Sequence, residues 1–165
     1  MSFDITLLSP ASYTRGSRKW KLAAGVAGSI KAGQLVLLTA LGSPYALAFT
    51  ASGTSQPAVG SDYILGLATS DSTDTVAAAG YVQVMPISSD MVFLANPGTA
   101  ATWDTQAKYD LLVGDRVLLS ISAAGVQTIL AADSAANALV VQPLDITKHP
   151  GKVAFSVKTT GLYNA

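Results

Sequence analysis

An all-β fold, a small antiparallel β-barrel or sandwich with at most one or two short helices, is what this chain of 165 residues predicts. Three observations carry the prediction. All ten acidic residues are aspartate and none is glutamate; Glu is among the better helix formers, whereas Asp is poor in helix interiors and favours turns and caps. The 14 glycines stand among abundant Ser, Thr and Val, the composition of strands and turns. The apolar stretches are of strand length and are bounded by Gly, Pro and Ser.

Taken in order, residues 1–22 show neither the helical nor the strand period and read as an extended basic arm. Residues 23–165 read as a single β-rich domain, long enough to bury a core. Within it, 34–39 is a buried strand, and Leu41, Gly42, Ser43 and Pro44 turn the chain into 45–50. A polar loop over 52–61 leads to a strand at 63–69 and a turn over 70–75. Strand formers at 81–87 and 91–94 follow, the latter closed by Asn96, Pro97 and Gly98. The spacing predicts one helix over 105–112, with Asp104 at its N-cap, Ala107 and Leu111 four apart on one face, and Gly114 just beyond its C-terminus. Residues 115–121 and 126–130 flank the turn 122–125 as a hairpin. Strands at 138–144 and 152–157 bring the number to eight or nine, and such a set makes a barrel or sandwich.

Hydrophobic residues make up 50% of the chain and charged residues only 12%, with no formal net charge. Near-neutral, weakly charged surfaces tend to associate, so much of this surface is expected to lie against neighbours, including further copies of the chain. The charges are also segregated. Residues 1–31 hold Arg15, Arg18, Lys19, Lys21 and Lys31 against Asp4; residues 32–147 hold nine Asp against Lys108 and Arg116; residues 148–165 hold three lysines and no acid. An acidic body lies between two basic ends.

The inventory argues against an enzyme. There is no Cys, and His149 is the only histidine, whereas acid–base and nucleophilic catalysis lean on His, shifted carboxylates or an activated nucleophile. A disulfide scaffold and a thiolate metal site are excluded. None of the nucleophile-elbow, zinc-protease, P-loop or dinucleotide-binding patterns occurs, and Gly25 to Ser29 reads as a turn. Asp71 and Asp74, with Ser72, Thr73 and Thr75, cluster oxygens but lack the pattern of a calcium loop; Asp and Ser or Thr cap their own backbone in such turns. Asp104, Asp110 and Asp115 read as helix-end and loop residues, and His149 as a solvated turn histidine. No cofactor or metal is expected. The N-terminus carries Asp4 where an export signal would carry positive charge. The uncharged stretch 32–61 is broken by Gly42, Ser43 and Pro44 into strand-length pieces, too short to span a membrane as a helix.

One constellation carries a functional expectation: Arg15, Arg18, Lys19, Trp20 and Lys21 as a partner-binding set. Basic residues interleaved with aromatics suit nucleic acid. They equally suit docking on an acidic protein surface, since Trp, Tyr and Arg dominate interface hot spots. The nine Asp of the body would repel phosphate, which favours a protein partner and no nucleic acid.

The run Ile64-Leu65-Gly66-Leu67-Ala68-Thr69-Ser70-Asp71-Ser72-Thr73-Asp74-Thr75, followed by Gly80-Tyr81-Val82-Gln83-Val84-Met85-Pro86-Ile87, resembles the small structural proteins of tailed-bacteriophage heads. Trp103-Asp104-Thr105 and Leu112-Val113-Gly114-Asp115-Arg116-Val117 are similar to a later segment of such proteins. The resemblance covers roughly 30–145 and rests on turn-and-strand patterns. It implies a head decoration, or capsid cement, protein: a β-rich homotrimer on the outside of an assembled capsid, bound to the major capsid protein, localised to the virion after assembly in the host cytoplasm. It brings no catalytic residue. The alternatives are another phage structural part, such as a tail-tube or capsid subunit, or a β-barrel module that binds carbohydrate or a host surface.

Overall fold

The computed structural model describes residues 5–9, 16–22, 30–38, 63–73, 75, 78–121, 126–131, 137–158, 160 and 162. Along them run β1 (Ile5–Ser9), β2 (Arg18–Leu22), β3 (Leu35–Leu38), β4 (Tyr63–Ala68), β5 (Gly80–Met85) and β6 (Val92–Pro97). After a 3-10 turn at Ala100–Thr102 come α1 (Gln106–Leu112), β7 (Arg116–Ile121), β8 (Gln127–Leu130), β9 (Leu139–Val141) and β10 (Val153–Val157). The protein is mostly β, as its composition predicts, and its heart is a closed five-stranded barrel. The expected strand at 45–50 lies outside the described residues, as do Asp74 and the turn 122–125.

The barrel runs β6, β10, β9, β7, β8 and back to β6. Its ladders are antiparallel except the closing one, where Asn96 and Pro97 of β6 lie parallel to Thr128 and Ile129 of β8. Small barrels fill their interior with side chains. Here Phe93, Phe155, Val117, Leu119, Leu139, Val141, Val153 and Ile129 are all buried, and the two Phe rings lie 5.7 Å apart. Strand β1 pairs with residues 92–95 of β6, so β1 and β8 occupy successive stretches of the same β6 edge.

A second, four-stranded antiparallel sheet has the order β2-β5-β4-β3. Successive side chains of a strand point to opposite faces, and a register shift between Val36 and Leu37, opposite Leu65, resets that alternation in β4. One face turns Leu35, Leu37, Ile64 and Leu67 into the core shared with the barrel, with Met85 packed beside them. The other turns Leu22, Val36, Leu65, Ala68, Val82 and Val84 into a second apolar cluster with Ile30. Both faces of β3 and β4 are therefore buried, which is why those strands read as continuous apolar runs. At Gly66 an added Cβ would collide with the carbonyl oxygen of Met85 and come within 2.7 Å of Val84 Cγ1. The glycine is what lets β4 and β5 approach.

The helix stands where the spacing predicts it, but two details differ. Its N-cap is Thr105 rather than Asp104: the Thr105 hydroxyl accepts from the Lys108 backbone N–H at 3.3 Å. Asp104, one residue earlier, pairs with the Lys108 ammonium at 2.7 Å. Ala107 and Leu111 do not form the buried face. Leu111 is 82% exposed, and the residue the helix buries is Tyr109. The ring of Tyr109 lies 5.7 Å from that of Trp103. Its hydroxyl accepts from Ala154 N at 2.8 Å and donates to the Gln142 carbonyl at 3.0 Å, tying α1 to β9 and β10. Gly114, with φ of 92°, takes the left-handed position beyond the helix and donates to the Val141 carbonyl at 3.0 Å.

Of the expected arm 1–22, the described stretches Ile5–Ser9 and Arg18–Leu22 form β1 and β2 and pair into the two sheets. Ile5 is 1% exposed within the barrel core, and Leu22 is fully buried in the second cluster. The physical reason lies in pairing: β1 satisfies the free edge of β6, and β2 the free edge of β5. Isolated segments this short gain little from propensity, so long-range ladders decide their structure.

Candidate functional site

The register of β2 on β5 sorts the basic cluster. Arg18 pairs with Val84, Lys19 with Gln83, Trp20 with Val82, Lys21 with Tyr81 and Leu22 with Gly80. Trp20 and Leu22 thus share a face with Val82 and Val84, and Trp20 packs, half-buried, on the second apolar cluster. Lys19 and Lys21 point the opposite way, alongside Tyr81 and Gln83. Further in, this same face is apolar at Met85 and Leu67, where the sheet meets the barrel. The sheet is therefore oily where it covers the barrel and basic where it overhangs.

At the overhang, Lys19 Nζ stands 3.4 Å from the centroid of the Tyr81 ring. A cation over an aromatic face is attracted by the ring quadrupole, so Lys19 is held in place while remaining exposed. Tyr81 itself is 39% exposed. Lys19, Lys21, Leu22, Ala79, Gly80 and Tyr81 line an open hollow of about 620 Å³. Ala79 and Gly80 leave it room, because neither raises a side chain beyond a methyl group.

Of the five residues expected to bind a partner, Lys19 and Lys21 stand together in this hollow. Arg18 is exposed at the start of β2 but at the alternate position. Trp20 packs on the second apolar cluster, and Arg15 lies outside the described residues. Tyr81, which the sequence reading placed only as a strand residue, completes the site. No local signal marks it, since its neighbourhood with Lys19 and Lys21 exists only through the β2–β5 register.

Three aspartates, Asp71 and Asp110 of those singled out in the sequence and Asp145 besides, do structural tasks. Asp71 accepts from the Ala32 backbone N–H at 2.9 Å and pairs with Lys31 at 3.3 Å. These contacts, the Ala32 bond first, hold its carboxyl below the usual range. Asp145 closes its own turn through the hydroxyl and N–H of Thr147 at 2.6 and 3.0 Å, which lowers its pKa likewise. Asp110 accepts from Gln106 Nε2 at 2.7 Å. Among the described residues, no three His, Cys, Asp or Glu gather as a metal would require, and no helix is long and apolar enough to cross a membrane. Burial raises the Tyr109 pKa above its ordinary value, and its hydroxyl is committed to the backbone of β9 and β10.

No protein-family model, no curated protein and no solved structure matches this chain.

Proposed function

We propose that this protein is a structural virion component, a head decoration protein that binds the outside of an assembled phage capsid and stabilises it. The observation that carries the reading is the Lys19–Lys21–Tyr81 overhang: an exposed basic face, with one lysine held on an aromatic ring, built into a paired β-sheet. Such a face suits contact with an acidic protein surface, where exposed charges act chiefly on association rate and salt dependence. The major capsid protein is the proposed partner and the capsid surface the proposed location. Self-association, as a homotrimer, belongs to the same reading, because a chain half apolar and only 12% charged favours covering its surface with copies of itself. Its role is contact rather than catalysis, and the carboxylates of Asp71, Asp104, Asp110 and Asp145 are engaged in turns and at the helix start.

A carbohydrate- or host-binding module would stack a sugar on an exposed aromatic platform. Among the described residues, the exposed aromatic ring is Tyr81, and it carries Lys19 on its face, which favours the capsid reading.

The test is to mix the purified protein with undecorated phage heads and count bound copies by particle imaging at two salt concentrations. Saturable binding, weakened by salt and by the double substitution Lys19→Gln with Lys21→Gln, is expected. Heads that stay bare at micromolar protein overturn the proposal.

A further inference from the structure

We infer that the overhang takes an extended segment of a partner protein bearing acidic side chains at alternate positions, laid along β2. This rests on the reading of the overhang as a docking face and adds the chemistry of its occupant.

The argument begins with spacing. Lys19 and Lys21 are two residues apart on one strand and face the same way, so their backbone origins are separated by about 6.6 Å. An extended partner presents side chains at that same repeat only from positions i and i+2. An acid-x-acid segment therefore matches both ammonium groups without bending, whereas adjacent acids point to opposite faces. The hollow favours such an occupant. Its volume of about 620 Å³ lies within the span of ligand pockets, and the small side chains at Ala79 and Gly80 admit a backbone. Lys19 is pre-placed by Tyr81, which lowers the ordering cost of binding.

The sequence also says which partner this is not. A second copy of the chain supplies no such segment: its acids stand at 4, 62, 71, 74, 90, 104, 110, 115, 133 and 145, and no two are two apart. The occupant belongs to a different protein. Single-stranded nucleic acid is disfavoured because it relies on free aromatic faces for base stacking, and the Tyr81 face is taken by Lys19.

The test titrates the full-length protein with two short peptides of equal composition, one acid-x-acid and one with the acids adjacent, following the Tyr81 resonances by NMR. The alternate peptide should bind at least about threefold tighter than its isomer, and Lys19→Gln with Lys21→Gln should weaken it roughly tenfold. The charge-keeping pair Lys19→Arg with Lys21→Arg should stay within about twofold of the parent. Should the Gln variant fold poorly, the two isomers on the parent protein still decide the matter. Equal binding of the isomers, no binding by either, or tighter binding of an oligothymidylate of equal charge overturns the inference. Heads decorated normally by a protein indifferent to peptide spacing would sink this inference alone; spacing-selective peptide binding with bare heads would instead sink the capsid reading.

Discussion

Gln127 acts on Leu35 as a neighbouring strand would. Its side-chain oxygen accepts from Leu35 N at 2.8 Å and its amide nitrogen donates to Leu35 O at 3.0 Å, both within the core. Gln127 belongs to β8 of the barrel and Leu35 to β3 of the four-stranded sheet, so one buried amide joins the two. A backbone pair that would otherwise be buried unsatisfied is thereby paired.

Gln127→Leu should therefore destabilise by more than the loss of an ordinary hydrogen bond. It leaves the Leu35 N–H and C=O unpartnered at a residue 1% exposed, and each buried unsatisfied group costs about 1–3 kcal/mol. A loss of about 2–4 kcal/mol follows for the pair. Urea unfolding with an unchanged slope would show it as a lower midpoint; a midpoint equal to the parent's would mean that the two sheets are held together by apolar packing alone.

Gly66→Ala should destabilise by about 1–3 kcal/mol, the usual penalty of overpacking. The new methyl meets the Met85 backbone and Val84 Cγ1, and a backbone cannot swing aside as a long side chain can. Thermal unfolding measures this directly, and an unchanged melting temperature would show that β4 and β5 are free to separate.

Tyr109→Phe keeps the ring against Trp103 but strips the hydroxyl from Ala154 N and Gln142 O. The orphaned N–H makes a loss of about 1–3 kcal/mol the expected size. There is also a pH signature. Burial raises the Tyr109 pKa, so its contribution is fully present below the ordinary tyrosine value of about 10 and is lost as pH rises from there through the folded pKa. The variant should show a shallower fall of stability in that alkaline window. Equal slopes would remove Tyr109 from the alkaline transition.

Asp71 has the opposite sign. Its folded pKa is lowered, mainly by the Ala32 N–H and then by Lys31. Its stabilisation is present above the unfolded carboxyl value of about 3.9 and fades as pH falls below it. The carboxylate is 59% exposed, and solvent screening holds its worth under about 1 kcal/mol. Asp71→Asn should melt slightly lower than the parent at neutral pH and coincide with it in acid. A difference that persists in acid would point to packing rather than charge.

The legible parts of the fold share a cause. Residues 63–69, 81–87, 115–121, 126–130 and 152–157 announce themselves because core burial leaves an apolar run or alternation between turn residues. Strands β1 and β2 were hidden for opposite reasons. In β1 a bulge between Leu7 and Ser9 breaks the alternation. In β2 three exposed basic side chains outnumber the two apolar residues, Trp20 and Leu22, that carry the inward period. Closure of the barrel through the parallel β6–β8 contact depends on residues more than thirty apart, and no local pattern encodes it. The site divides likewise: charge alone pointed to Lys19 and Lys21, whereas Tyr81 joins them only through register.

Removal of residues 1–22 should consequently unfold the protein rather than trim it. The deletion takes Ile5 out of the barrel core and Leu22 and Trp20 off the second cluster. It also bares the β5 edge and the stretch of the β6 edge at 92–95, and exposed strand edges template association. Loss of the cooperative melting transition, with aggregates in size-exclusion chromatography, is the expected outcome. Trp20→Ala is the milder probe. A half-buried indole contributes less than the roughly 3–5 kcal/mol of a fully buried aromatic, so about 1–3 kcal/mol should be lost. A truncated chain that still melts cooperatively, at the parent's temperature, would restore the segment to a free arm and return Trp20 to the set of residues available to a partner.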